Sequence, residues 1–165
     1  VAVGKHGAGA SVSAWNGRVV RLRGTLIRRG GRAMIEIVPG SLGESTEEAP
    51  RLPKVEPLGP RSIAGVIADG KCFLGVMNPG EGKVHRDCAV RCISGGVPAL
   101  LLAADPAAQE RWIWLAAPEG GPLGREALDR VAESVRVRGE MVRIDDQLFL
   151  EIEPDGIERI APRER

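Results

Sequence analysis

The feature that most constrains the fold is an internal echo at a fixed spacing of 115 residues. Val20-Arg21-Leu22-Arg23-Gly24-Thr25-Leu26-Ile27-Arg28 reads like Val135-Arg136-Val137-Arg138-Gly139-Glu140-Met141-Val142-Arg143. Both runs continue without a gap through a reversal, Gly30-Gly31 in one and Asp145-Asp146 in the other. They then enter second runs, Met34-Ile35-Glu36-Ile37-Val38-Pro39 and Phe149-Leu150-Glu151-Ile152-Glu153-Pro154. A register kept over 20 positions is hard to obtain by chance. In each copy apolar residues alternate with arginines at period two, the signature of a half-buried strand. The paired turn residues then make a hairpin. Gly24 and Gly139 sit inside the first strands, where glycine marks a bulge or sharp coil. Such a kink lets a strand bend around a small barrel.

The surroundings of the hairpins correspond in layout. Val1-Ala2-Val3 and the polar stretch up to Arg18 parallel Trp112–Leu115 and the stretch from Pro118 to Ser134. About fifty further residues, from near Ser62, precede the second copy, and nothing equivalent precedes Val1. The expectation is a mainly β chain of tandem OB-like small barrels. Residues 1–40 would form the C-terminal half of a first unit that lost or lacks its N-terminal half. Residues 41–60, rich in Pro, Gly and acid, would be a linker. Residues 61–162 would be the complete OB-like domain. In that domain strands are expected over Ile63–Ala68, Ala99–Ala103 and Arg111–Leu115, with a turn at Asp105-Pro106. Residues 74–84 read as a loop, Val84–Ser94 as a short helical plug ended by Gly95-Gly96 and Pro98, and Glu126–Glu133 as a helix or turn. Five strands with one or two plugs suit a small barrel better than a doubly wound sheet. The first hairpin extending the one complete barrel is the competing layout.

Composition removes several function classes. Net charge is +1 with both signs interspersed, and aromatics are few: three Trp, two Phe and no Tyr. A basic footprint or a base-stacking platform for nucleic acid is therefore not expected. No apolar run approaches the ~20 residues of a membrane helix, and residues 1–20 lack the basic start and apolar core of a secretory signal. The glycines of the 75–82 loop do not form a phosphate-cradling motif. No serine lies in a nucleophile elbow. Glu36 and Glu151 read as outward strand residues without a partner acid, and His6 as an exposed residue.

All three cysteines fall in one segment, Asp69-Gly70-Lys71-Cys72 to His85-Arg86-Asp87-Cys88-Ala89-Val90-Arg91-Cys92. On a helix His85, Cys88 and Cys92 share one face, and Cys72 ends the preceding strand behind a glycine-rich loop. Three thiolates and an imidazole make a tetrahedral zinc shell, so zinc is the cofactor considered first; the thiolates would also suit copper(I). Three readings stay open: small apolar residues under a plug helix, a bridge from Cys72 to Cys88 or Cys92 that staples loop to helix, or a metal site built from Cys72, His85, Cys88 and Cys92.

The run DGKCFLGVMNPGEGKVHRDCAVRCISGGVP resembles a motif in uncharacterised bacterial proteins with small OB-like domains. There Asp-x-x-Cys is followed by His-x-x-Cys-x-x-x-Cys and Gly-x-Pro. GKHGA (Gly4–Ala8) and GTLIRRGGRAMIEIVPGS (Gly24–Ser41) look like the upstream part of the same proteins, in which further sequence precedes that part. The resemblance implies motif positions at Asp69, Cys72, His85, Cys88 and Cys92 but no activity and no role for Asp69. The expectation is thus a binding or accessory module with a protein partner in a larger assembly. An envelope or membrane-complex setting is favoured over a cytoplasmic one. The competing class is a thiol-redox or metal-dependent enzyme using the same cysteines.

Overall fold

The computed structural model describes residues 1–105, 111–118, 121 and 123–161. Its central body is a closed five-stranded β-barrel. In chain order the elements are α1 (Ala10–Ser13), β1 (Val20–Arg21), β2 (Gly24–Arg29), β3 (Arg32–Ile37), β4 (Gly43–Glu44), β5 (Val55–Asp69), α2 (Arg86–Ser94), β6 (Ala99–Ala103), β7 (Trp112–Ala116), α3 (Arg125–Asp129), β8 (Ser134–Ile144) and β9 (Gln147–Arg159). Around the barrel the order is β5-β6-β7-β9-β8, closing back on β5. Every pairing is antiparallel except β7 with β9, which run parallel from Trp114↔Phe149 to Ala116↔Glu151. No helix among the described residues is long and apolar enough to cross a membrane.

The period-two pattern explains the core. Val135, Val137, Met141, Leu150 and Ile152 point inward and are buried with Ile67, Leu101, Ile113 and Leu115. The arginines between them, Arg136 and Arg138, are exposed. Burying one such aliphatic side chain contributes about 1.5–3 kcal/mol. Helix α2 lays Ala89 and Ile93 on the same cluster, so it plugs the barrel, and Ala127 of α3 joins them.

Two boundaries differ from the sequence expectation. The stretch 41–60 contains β4 and the first six residues of β5, leaving 45–54 between them. Its prolines had suggested a linker. Pro57 and Pro60 are tolerated because β5 pairs only with β8 there, and β6 joins from Gly65 onward. The cysteine helix starts at Arg86, with His85 in a short 3₁₀ turn before it. The Asp105-Pro106 turn runs into residues outside the described ones, as does the last residue of 61–162.

The N-terminal hairpin β2–β3 is a separate two-stranded sheet, with β1 and β4 forming another. Its register equals that of β8–β9 displaced by 115 positions: Gly24↔Ile37 and Gly139↔Ile152, Leu26↔Ile35 and Met141↔Leu150, Arg29↔Arg32 and Ile144↔Gln147. A Cβ on Gly24 would lie 2.7 Å from the Glu36 carbonyl oxygen, and one on Gly139 2.0 Å from that of Glu151. The same close crossing thus forces glycine in both hairpins. Val1 also accepts from Ile37 N–H (2.9 Å) and donates to Ile35 O (2.9 Å), which sets it opposite Glu36 as Ala116 is set opposite Glu151. Leu26 and Ile35 are 45% and 43% exposed, whereas Met141 and Leu150 are 5% and 0%. The hairpin docks on the barrel through Arg32, whose guanidinium donates to Asp146 O (2.6 Å), and Arg29, which donates to Phe73 O (2.7 Å) and stacks over its ring.

A candidate metal centre between β5, α2 and the N-terminal arm

The site lies in the connection from β5 to β6. Strand β5 ends at Asp69, whose side chain is fully buried. One turn of π-helix over Cys72–Val76 follows and turns Cys72 back toward the barrel end. Asp69 fixes this turn: its Oδ1 accepts the Cys72 N–H at 2.8 Å. The glycine-rich loop then folds over it, and Gly80 packs directly on the Cys72 backbone, where a Cβ would lie 2.4 Å from the Cys72 carbonyl oxygen. A side chain at position 80 would lift the loop off the cysteine.

The 3₁₀ turn Lys83–His85 leads into α2, which carries Cys88 and Cys92 one turn apart on the face toward Cys72. The guanidinium of Arg86 pins the start of α2 to the α3 region by donating to Val131 O (3.1 Å) and Asp129 O (3.2 Å). Asp87 in the first turn complements the helix dipole. Gly95 and Gly96 end the helix, with Val97 N–H returning to Cys92 O at 2.9 Å.

The three sulfurs converge. The Sγ atoms of Cys72, Cys88 and Cys92 lie within 4.8 Å of one another, with Cys72 and Cys88 4.0 Å apart. All three are free thiols; a disulfide would hold its sulfurs at about 2.0 Å. They sit with Val97 in a small apolar cluster edged by Val1. Cys72 and Cys92 are buried, and Cys88 is half-buried. Burial, followed by the Asp69 carboxylate, pushes the Cys72 thiol well up and the Cys92 thiol to about 11.

His85 takes a different place from the one the helical spacing predicts. Its Nε2 lies 3.2 Å from Asp69 Oδ2, in a second group, Asp69–Cys72–His85, whose ligand atoms also fall within 4.8 Å of one another. Cys72 belongs to both groups, so imidazole and sulfurs adjoin but are not on one helical face. The reason is the backbone: His85 precedes the first helical residue, and the turn there points its ring at Asp69.

No family model, curated protein or solved structure matches this chain.

Two residues that the sequence did not single out complete the surroundings. Lys5 Nζ donates to Cys88 Sγ at 2.6 Å, and this hydrogen bond raises the lysine pKa. Lys71, buried beside Cys72, donates to Ala2 O (3.0 Å) and Gly4 O (2.7 Å) and pairs with Glu36. Glu36, read from its period-two position as an outward strand residue without a partner acid, thus has a cationic partner. Neither lysine carries a local signal, because each contact joins segments more than thirty positions apart.

A cavity of about 640 Å³ lies between β3, the end of α2 and strands β6, β7 and β9. Ile93, Val97, Trp114 and Phe149 line it, and none of the five motif residues does.

Proposed function

We propose that this chain is a binding or accessory module in a larger assembly, in which Cys72, Cys88 and Cys92 hold a thiophilic metal ion, zinc, as a structural centre. The convergence of three thiols carries this reading. Zinc–thiolate bonds of about 2.3 Å in a tetrahedral shell set sulfurs ~3.8 Å apart, near the 4.0 Å between Cys72 and Cys88. His85 is the neighbouring candidate for the fourth position. Its Nε2 is engaged by Asp69, the carboxylate–histidine pairing that orients metal-bound imidazoles. This gives Asp69 a role, holding both Cys72 and His85.

A thiol-redox enzyme is less well supported. Its reactive cysteine should be accessible with a depressed pKa, whereas Cys72 and Cys92 are buried and shifted upward. The 640 Å³ cavity between β3 and strands β6, β7 and β9 is lined by none of the three cysteines.

The module itself reads as two OB-like units, the first incomplete. Antiparallel contacts of β5 with both β6 and β8, with a parallel β7–β9 contact closing the barrel, suit a small Greek-key barrel of that kind. The shared register of the two hairpins and the matching places of Val1 and Ala116 support a duplicated unit. Leu26 and Ile35 would then be half of a core.

Metal analysis of protein purified without chelator, combined with thiol counting under denaturation, tests the centre. One equivalent of zinc, lost in Cys92→Ser, is expected. Two unreactive thiols without metal would replace the centre with a disulfide staple, and three free thiols without metal would reduce it to core packing.

A further inference from the structure

The segment Val1–Gly7 crosses the sulfur cluster and is tied down on both sides. The Lys71 ammonium has three N–H groups, and its partners are Ala2 O, Gly4 O and the Glu36 carboxylate. Such full satisfaction lets a charged lysine sit buried beside Cys72. Beyond it, Ala2 N–H donates to His6 O (3.0 Å), closing a tight loop, and Gly7 N–H donates to Gly95 O (2.8 Å) at the end of α2. Between these ties the Lys5 ammonium reaches Cys88 Sγ. Cys88 is the half-buried member of the cluster and the one nearest to solvent.

The charges give this contact a purpose. Three thiolates around a bound divalent ion, with the Asp69 carboxylate beside them, would leave negative charge in excess. Lys71 is neutralised by Glu36. Among the described residues, Lys5 is the cation that hydrogen-bonds a sulfur of the cluster. Charge-assisted bonds of this kind are the stronger class, and an ammonium on a ligating sulfur stabilises the ionised form without competing for the metal.

Resting on the metal reading above, we propose that residues 1–7 are the lid of the thiolate centre and govern metal exchange through Cys88. Lys5 is the positioning residue that holds the Cys88 sulfur in place, and Lys71 anchors the lid. The N-terminal unit is thereby part of the centre's wall, although all of its sulfurs come from the barrel side.

The test uses the whole chain loaded with zinc(II), with equilibrium competition against a chromophoric chelator and the rate of chelator-driven release both measured. Because Lys5 is exposed, its variants should fold. Lys5→Met should weaken zinc binding by about five- to tenfold and speed release by a similar factor, the range for one solvent-facing charge-assisted contact. Lys5→Arg should restore both to within about twofold, and added salt should narrow the gap between wild type and Lys5→Met, as screening requires. Glu36→Gln, which loosens the anchor without touching a sulfur, should speed release as well. Wild-type affinity and release in Lys5→Met would overturn the lid. A wild-type protein that binds no zinc would instead overturn the metal reading on which it rests.

Discussion

Asp69→Ala removes two contacts in one place and leaves both partners buried. The Cys72 N–H loses its acceptor at 2.8 Å, and His85 Nε2 loses its partner at 3.2 Å. Both residues are almost fully enclosed, so water cannot readily replace the carboxylate. A buried polar group left without a partner costs about 1–3 kcal/mol, and the emptied volume adds to this. The substitution should therefore destabilise the metal-free, reduced protein by about 3–5 kcal/mol. Asp69→Asn keeps the shape and leaves a carbonyl oxygen for the Cys72 N–H. Its amide can face His85 once the ring adopts the tautomer with Nε2 unprotonated, so the loss should stay near 1 kcal/mol. Urea denaturation under reducing conditions with chelator present measures both. The order Ala far below Asn is the signature. An Asp69→Ala variant within about 0.5 kcal/mol of wild type, or an Asn variant as damaged as Ala, would refute the idea that this carboxylate organises the turn.

Two further outcomes follow from the same geometry. The folded Cys92 thiol titrates near 11 against 9.0 for an unperturbed thiol, chiefly through burial, so above the lower value the native state holds protons that the unfolded chain has lost. Metal-free stability should accordingly be full below about pH 9 and fall as pH rises toward about 11; a flat urea midpoint across that window would contradict the burial of the sulfur. Gly139→Ala should cost about 2–4 kcal/mol, since its Cβ meets the Glu151 carbonyl inside a closed barrel, while Gly24→Ala should cost less because its two-stranded sheet can shift. Equal losses in thermal melts would remove that distinction.

The barrel's closing hairpin was legible in the sequence because alternation of valine with arginine and a paired turn residue are local signals. Cys88 with Cys92 on one helical face was legible for the same reason, whereas Cys72, expected at the end of the strand, lies in the π-helical turn that follows Asp69. What the local sequence did not carry was decided at a distance or by where an element begins. His85 lies one residue before the helix starts, and its ring meets Asp69 while staying beside Cys72. The prolines of 55–60 suggested a linker because the sequence does not reveal which strand edges lack a second neighbour. Lys5, Lys71 and Glu36 come together only when the N-terminal segment lies across the cysteine turn, and nothing in their local sequence foreshadows it.

The parallel contact between β7 and β9 has a consequence for a growing chain. All three thiols are synthesised more than fifty residues before Phe149, Leu150 and Glu151, the partners that shut the cylinder. During that interval the sulfurs have no finished wall behind them. A nascent polypeptide of this design therefore presents its softest, most oxidisable atoms early, and an ion captured at that stage would gather the loop and helix before the last strand arrives.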